Sequence, residues 1–407
     1  MGIRTTRASG TAATVVIVIQ EFESHLRAIQ QVALGLTSMD YRVLIAAPAK
    51  LKDLIESVYG LEFVEAGTEW ATPDVGAELA DQLKRNGNPG FVRTIIKKHL
   101  CGEHARKKLK DLAAIVKAFD IETIFSDITD IPGQVFALRE GLQCVRLENG
   151  WLPQLTQYPE ALETGLTSLW GKTIATRFLE YKPPALAPIP RSLLYAHLDY
   201  VQDYLVEHPQ RANRSLPAWV GTIPPDRPVI LGTYGGSILT RNEHFRGIIG
   251  GFNRNLVRAL RDIPCTGILS VGPANVQHIK DTYRAEFGED IPPHVRLVGH
   301  FEQPLFLERV QVAAMLHAGG LGTDKEQIAN GVPSVIVKSW SEGEYVADRF
   351  ERAGISTSVL PTAEPNEIAD ATLRLLTEDH KRNARLWQHK AAALPTLQAR
   401  LRHLLAS

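Results

Sequence analysis

Two side chains in the first half of the chain have the types that an acid–base reaction needs. His25 follows the apolar run Val15–Ile19 and precedes a helical pattern, and Asp127 follows the predicted strand Ile121–Phe125. An imidazole titrates near neutral pH and can take a proton from a hydroxyl. A carboxylate on one ring nitrogen would orient the ring and stabilise its charged form. Each residue also has an ordinary structural interpretation, as a surface histidine at a helix start and as a helix cap.

Two glycine-rich turns in the second half of the chain have the composition of a phosphate site. The first, residues 232–237, follows the apolar run at 228–231, and the second, residues 317–323, follows the run at 312–316. Glycines let backbone N–H groups approach an anion closely, and the second turn also opens a helix. The alternative is that these glycines serve only tight packing. The residues that we predict to contact a diphosphate are Gly235, Gly236, Ser237, Gly319, Gly320, Gly322 and Thr323.

Further polar residues follow the same strands. Glu326 lies about one helical turn beyond Thr323, where it could accept hydrogen bonds from a ribose. The loop at 338–344 follows the run Ser334–Val337 and is rich in polar groups that could bind a sugar. Its alternative interpretation is a solvated acidic loop.

The elements that position these residues alternate between strand-like and helical patterns, which predicts βαβ units and an α/β fold with doubly wound parallel sheets. The proline-containing segment Ser215–Arg227 separates two such series. We therefore predict an N-terminal domain over 1–215 and a second domain over 216–380. A last helical pattern over 381–407 is expected to pack back on the first domain. Because ligands bind beyond the carboxyl ends of parallel strands, the predicted site lies in a cleft between two facing domains.

Composition excludes several other classes of protein. The 407 residues carry 45 Lys+Arg and 45 Asp+Glu, and this zero net charge argues against a general nucleic-acid binder. No apolar run reaches the ~18 residues of a membrane-spanning helix. Three widely spaced cysteines offer neither a disulfide framework nor a metal site, which predicts a cytoplasmic protein. Residues 1–13 are expected to be a frayed tail, because they lack a signal-peptide cleavage pattern.

The second half of the chain resembles the nucleotide-sugar signature of family 1 glycosyltransferases, in particular the bacterial natural-product type. The run HAGGLGTDKEQIANGVPSVIVKSWSEGEYVADRFERAG, which begins at His317, carries this likeness. Upstream, VRLVGHFEQPLFLERVQVAAML is similar to the family's turn that binds the base. In the first half, SHLRAIQQVALGL resembles the family's first helix, and FSDI resembles the segment that holds its orienting carboxylate.

The resemblance implies a GT-B fold of two Rossmann-like domains and an enzyme that moves a sugar, with inversion, from a UDP- or dTDP-type donor to a hydroxyl of a small-molecule acceptor. It implies that His25 is the catalytic base and Asp127 its orienting partner. The glycine turns would stabilise the leaving diphosphate, so that no cofactor and no metal is expected. The further donor-binding residues that the resemblance implies are Phe301, Gln303, His317, Glu326, Glu342 and Gly343.

Two of the departures from the family pattern concern the contacts with the donor. Ala318 stands where the family has its phosphate-binding histidine, and His317 lies one residue early. Glu342-Gly343 stands where the family has an Asp-Gln pair that grips sugar hydroxyls. The second change predicts that the enzyme prefers a deoxy- or amino-sugar over glucose.

Two other functions remain open on the same scaffold. One is a nucleotide-sugar 2-epimerase, and the other is a non-catalytic partner of a glycosyltransferase. The presence of both His25 and Asp127 argues against the non-catalytic partner. The partners that we expect are a donor, an acceptor and no nucleic acid, with a homodimer left open as the assembly.

Overall fold

The computed structural model describes residues 13–206, 215–234, 243–339 and 342–406. Its first sheet is entirely parallel, with the strand order β3-β2-β1-β4-β5-β6-β7. Alternate residues of the central strand β1 pack into different hydrophobic clusters, because each face of the sheet is buried. The strands are β1 (Thr14–Val18), β2 (Arg42–Ala47), β3 (Glu62–Glu65), β4 (Thr123–Asp127), β5 (Gln143–Leu147), β6 (Ala185–Ala187) and β7 (Val201–Asp203).

The second sheet repeats this arrangement with the order β10-β9-β8-β11-β12-β13, again with every strand parallel. The prediction of an α/β fold with two doubly wound domains is therefore confirmed. The strands are β8 (Val229–Thr233), β9 (Thr266–Ser270), β10 (Val295–Val298), β11 (Val312–His317), β12 (Ser334–Val337) and β13 (Ser356–Val359).

The helices of the first half include one with a sharp break. Helix α2 is interrupted at Gly87, whose φ of +64° is left-handed, and Pro89 follows within the same helix. The helices are α1 (Glu23–Thr37), α2 (Pro73–Thr94), α3 (His104–Phe119), α4 (Ile131–Glu140), α5 (Leu152–Gln157), α6 (Pro159–Trp170), α7 (Lys172–Glu180) and α8 (Arg191–Leu194).

The chain ends in two helices, which corrects the expectation of one helical stretch over 381–407. Pro395 lies in the break, and the backbone there bonds to Leu205 of the first half. The helices of the second half are α9 (Glu243–Arg261), α10 (Val276–Phe287), α11 (Gln303–Arg309), α12 (Leu321–Ala329), α13 (Gly343–Arg352), α14 (Pro365–Leu375), α15 (Glu378–Ala392) and α16 (Leu397–Ala406).

The two terminal helices pack on different halves of the chain. Gln388 of α15 donates to the carbonyl of Ala329 in the second half at 3.1 Å. Leu401 of α16 is fully buried against α1, where a Cβ on Gly35 would lie 3.2 Å from its Cδ1. The chain therefore returns to the first half at residues 395–396, just before α16.

The halves also meet directly. Phe91 of α2 contacts Phe245 of α9 edge to face, with ring centroids 6.3 Å apart, and the hydroxyl of Tyr345 in α13 donates to the carbonyl of Leu194 in α8. In the segment between the sheets, Trp219 packs against the core of the second half. The exact domain boundaries stay a prediction. None of the helices in the described ranges is both long and apolar enough to cross a membrane.

The strand orders explain where chemistry can gather. In each sheet the order in which successive strands are added reverses between two central neighbours. These are β1 and β4 in the first sheet and β8 and β11 in the second. Residues that follow these strands meet at a crevice at the carboxyl edge. His25 and Asp127 follow the first pair, and the turn at 317–323 follows β11.

Candidate active site

The centre of the site in the first half is an imidazole–carboxylate pair. His25 lies in the first turn of α1, and its Nδ1 is 2.9 Å from Oδ2 of Asp127, the last residue of β4. The His25 side chain is 12% exposed, whereas the Asp127 side chain is completely buried. A bond from Nδ1–H to the carboxylate leaves Nε2 as the nitrogen that can accept a proton. The structure thus brings together the two residues that the sequence singled out.

The buried carboxylate of Asp127 is held by several donors. The backbone N–H and the hydroxyl of Thr129 both donate to its Oδ1, at 2.7 Å and 2.6 Å. Burial alone would raise the pKa of Asp127, but His25 and the hydrogen bonds from Thr129 outweigh it and hold the pKa below its usual value. Asp127 is therefore an anion at neutral pH.

Asn149 is a member of this site that the sequence analysis missed. It follows β5, the neighbour of β4, and its Nδ2 lies 2.9 Å from each oxygen of Asp127. The signal that could have found it is its place just beyond a strand next to the one that carries Asp127.

An aromatic wall adjoins His25 and was also missed. The ring of Phe22 lies 4.9 Å from the imidazole, and Trp70 meets Phe22 edge to face at 5.4 Å. The indole N–H of Trp70 donates to Gln20, which in turn donates to the carbonyl of Thr129. This chain of bonds fixes the wall relative to the imidazole–carboxylate pair.

In the second half, the turn at 317–323 has one packed side and one open side. Gly319 has a φ of +75°, and a Cβ there would lie 3.2 Å from the Cα of Gly343. A Cβ at Gly322 would meet no atom within 4 Å, and at Gly320 the nearest atom would be 3.8 Å away. The open side includes the start of α12, where the first backbone N–H groups lack partners within the helix. It can therefore accept an anion.

His317 occupies the packed side. Its Nε2 is 2.8 Å from Oε1 of Gln327, and its Nδ1 accepts from the N–H of Gly319 at 3.1 Å. Burial lowers the pKa of His317 to about 4, so the ring is neutral. A ring that is buried and bonded at both nitrogens braces the turn from inside. The donor contact expected of His317 stays a prediction.

Acidic groups gather where the two halves meet. Oε1 of Glu342 would lie 3.7 Å from a Cβ on Gly150, the residue after Asn149. Asp324 in the first turn of α12 is fully buried, and burial together with Glu342 raises its pKa well above the usual value. Glu148, at the end of β5, is buried as well. The imidazole–carboxylate pair and the glycine turn are thus linked through residues 148–150.

The remaining predicted residues have varied surroundings. Glu326 is buried in α12, and Phe301 packs against Trp219 and Phe306 in the core of the second half. Gln303 is the first residue of α11 and is half-buried. Their contacts with a donor stay predictions. The residues Gly235, Gly236 and Ser237 lie outside the described residues.

Comparison with known proteins gives a consistent result. No family model matches the chain. The L-demethylnoviosyl transferase of Streptomyces niveus is 24% identical over 305 residues, which cover 73% of this chain and 74% of that protein. The spinosyn rhamnosyltransferase SpnG superposes with a TM-score of 0.73 at 18% identity, over 96% of this chain and 99% of that one. The glycosyltransferase VinC, in complex with dTDP, gives 0.70 at 21% identity, over 97% and 98%.

The chain has the GT-B fold of these glycosyltransferases. The predicted resemblance to bacterial natural-product glycosyltransferases is confirmed, and the chain is similar to enzymes that transfer sugars. SpnG has also been solved with thymidine diphosphate and with the spinosyn aglycone. Within the described ranges, no three His, Cys, Asp or Glu side chains are grouped so as to hold a metal ion. The expectations of a metal-free reaction, a cytoplasmic location and a homodimer stay predictions.

Proposed function

We propose that the protein is an inverting glycosyltransferase that moves a sugar from a nucleoside-diphosphate donor to a hydroxyl of a small-molecule acceptor. One observation carries this proposal. The imidazole–carboxylate pair of His25 and Asp127 lies at the switch point of one sheet, and residues 149–150 connect it to the glycine turn at the switch point of the other. A base and an anion site at one junction are what sugar transfer from a diphosphate requires.

The proposed reaction is a single displacement. The acceptor hydroxyl gives its proton to Nε2 of His25 as its oxygen forms a bond to the anomeric carbon. The bond between that carbon and the diphosphate oxygen breaks, and the diphosphate leaves with the electron pair. Asp127 stabilises the imidazolium that forms, because its charge lies against the protonated Nδ1. The configuration at the anomeric carbon is inverted, since the acceptor attacks opposite the leaving group.

The second half would stabilise the leaving group. The first N–H groups of α12, with Gly320, Gly322 and Thr323 around them, offer an anion site on the open side of the turn. Backbone amides would carry more of the diphosphate contact than usual, because Ala318 replaces the family's histidine. The thymidine diphosphate complex of SpnG and the dTDP complex of VinC favour a dTDP-type donor.

The test uses His25→Ala with His278→Ala as its control, because His278 is exposed on α10. We expect His25→Ala to lower the rate of transfer by ~10²–10⁴-fold, the usual contribution of a general base. Its affinity for the nucleoside diphosphate should match that of the wild type, because the anion site belongs to the other half. Near wild-type turnover of His25→Ala would overturn the proposal.

The same assays separate the alternatives. Incubation with donor alone, followed by analysis of the sugar, would reveal a 2-epimerase by a changed configuration at carbon 2 without release of nucleoside diphosphate. A non-catalytic partner would release no nucleoside diphosphate with any donor and acceptor. Nucleoside diphosphate released together with an acceptor glycoside of inverted configuration supports the proposal.

A further inference from the structure

Asn149 contacts the catalytic carboxylate more fully than any predicted residue does. Its Nδ2 lies 2.9 Å from Oδ1 and 2.9 Å from Oδ2 of Asp127, and 3.2 Å from Nδ1 of His25. Its Oδ1 accepts from the backbone N–H of Trp151 at 3.3 Å. This second bond settles which end of the amide faces the carboxylate, since only the nitrogen can donate to an anion.

The two oxygens of Asp127 depend on Asn149 unequally. Oδ1 also receives both donors of Thr129, whereas within the described ranges the groups bonded to Oδ2 are His25 and Asn149. Oδ2 is the oxygen that receives the imidazole N–H. The amide therefore bridges the two oxygens and fixes the rotation of the carboxylate about its Cβ–Cγ bond.

The backbone around Asn149 is fixed from both halves of the molecule. On one side, Glu148 accepts from the N–H groups of Gly150 and Leu152. On the other, Gly150 has a φ of +110°, and a Cβ there would lie 3.5 Å from the Cβ of Leu321 at the start of α12. The amide is thus held where the half that binds the donor meets the half that holds the base.

We propose that Asn149 is a positioning residue that holds Asp127 in the orientation in which it receives the Nδ1–H of His25. The inference rests on the proposed function, because it assigns Asn149 to the same reaction. Its rival is that Asn149 only stabilises the turn into α5 through its bond to Trp151.

The variant Asn149→Asp separates these two roles. An ionised aspartate has the same shape and still accepts from the N–H of Trp151, so the turn persists, but in this ionised form it cannot donate to Asp127. We expect kcat to fall by about 10- to 100-fold, the size of one lost hydrogen bond to a charged group. The donor KM should stay within about threefold, and the acid limb of the pH–rate profile should move to higher pH, because a second carboxylate favours the imidazolium.

The exchange of both residues provides a rescue. Asp127→Asn combined with Asn149→Asp places a carboxylate where Nδ2 now lies, 3.2 Å from Nδ1 of His25, beside a neutral amide. We expect the kcat of this double variant to be several-fold higher than that of Asp127→Asn alone, because the two positions share one interaction. The exposed Asn366→Ala serves as the control and should match the wild type.

Two results would overturn the proposal. One is wild-type kcat and an unchanged pH profile for Asn149→Asp, and the other is strictly additive losses in the double variant. Failure of the proposed function is distinguishable, since then the wild type and His25→Ala would both show no transfer. In that case the nuclear magnetic resonance signal of the His25 Nδ1–H still tests the positioning role of Asn149. Asn149→Ala should speed exchange of this proton with solvent, and unchanged exchange would reject the positioning role.

Discussion

At the scale of single residues, two glycines of the second half differ in what they permit. A Cβ at Gly343 would lie 2.9 Å from the carbonyl oxygen of Ala318, closer than real contacts allow, whereas a Cβ at Gly322 meets open space. Gly343 lets the start of α13 approach the glycine turn, and Gly322 leaves room for a ligand. Substitution of Gly343 therefore tests the packing of the turn, and substitution of Gly322 tests its binding of a ligand.

We predict that Gly322→Val weakens binding of the nucleoside diphosphate without unfolding the protein, because its side chain fills the open side. Thr323→Ala should weaken the same binding by about tenfold, since one donor to a charged group is lost. Calorimetric titration measures both affinities. The contrast is Gly343→Ala, which should lower the free energy of unfolding by about 1–3 kcal/mol through overpacking. An unaltered diphosphate affinity in folded Gly322→Val would mean that the turn holds no phosphate.

The close approach at Gly343 bears on the choice of sugar. There is no room for the glutamine that the family carries at this place, so an amide contact to the sugar is absent. A sugar hydroxyl buried without a partner costs ~1–3 kcal/mol. We predict a higher kcat/KM for a deoxy- or amino-sugar than for glucose on the same nucleotide. A clear preference for the glucosyl donor would refute this prediction.

The residues of the site differ in how far the sequence could predict them. His25 and Asp127 were predictable because each lies at the carboxyl end of a recognisable strand. Asn149 carries the same positional signal, just beyond β5, but its bonds to Asp127 join segments that are distant in sequence and that the sequence does not pair. The interaction of Asp324 with Glu342 likewise depends on the packing of separate segments.

At the scale of elements, the carboxyl end of β5 carries a group with altered acidity. Burial raises the pKa of Glu148 from its ordinary 4.5 to about 7, and nearby Asp127 and Tyr195 belong to the same buried region. The N–H groups of Gly150 and Leu152 lower the pKa only in part. Folding therefore favours the protonated form of Glu148.

We predict that the contribution of Glu148 to the stability of the protein falls as the pH rises from about 4.5 to about 7. The unfolded chain loses the Glu148 proton near pH 4.5 and the folded chain near pH 7, so the contribution is complete below the first value and lost above the second. It amounts to at most about 3–4 kcal/mol. Urea unfolding at several pH values measures the free energy of unfolding. As the pH rises, this free energy should change less favourably for the wild type than for Glu148→Gln, which has no proton to lose at this position. The exposed Glu163→Gln serves as the control and should follow the wild type. The same dependence of the unfolding free energy on pH in Glu148→Gln and the wild type would contradict the prediction.

The strands themselves were predictable where their residues form apolar runs. The apolar runs of β1, β8 and β12 predict these strands directly, because parallel strands that are buried on both faces are rich in Val and Ile. β6 is harder to predict, because it has only three residues and lies within a proline cluster. β13 reads STSV, and its polar residues hid an edge strand that pairs with β12.

At the scale of the whole molecule, α16 ties the end of the chain to its beginning. Leu397, Leu401 and Leu404 are buried in the cluster that contains the core of α1. We predict that Leu401→Ala lowers the free energy of unfolding by about 2–5 kcal/mol, because a fully buried leucine leaves a cavity. Denaturant unfolding measures this loss.

Leu386→Ala is the matched control, because Leu386 lies on α15 and is 50% exposed. It should change stability by less than about 0.5 kcal/mol, as surface substitutions usually do. Equal losses for Leu386→Ala and Leu401→Ala would show that α16 does not hold the first half.

The separate packing of α15 and α16 has a consequence for recombination with a relative. A hybrid joined once, within residues 215–227, would pair the α1 of one parent with the α16 of the other. The leucines that pack on α1 would then meet a surface with which they did not evolve. A hybrid with a second crossover, at residues 393–396, keeps the parental interface between α1 and α16 whole. The unit that can be exchanged between such enzymes is therefore discontinuous in sequence, and the shorter of its two pieces is the last helix.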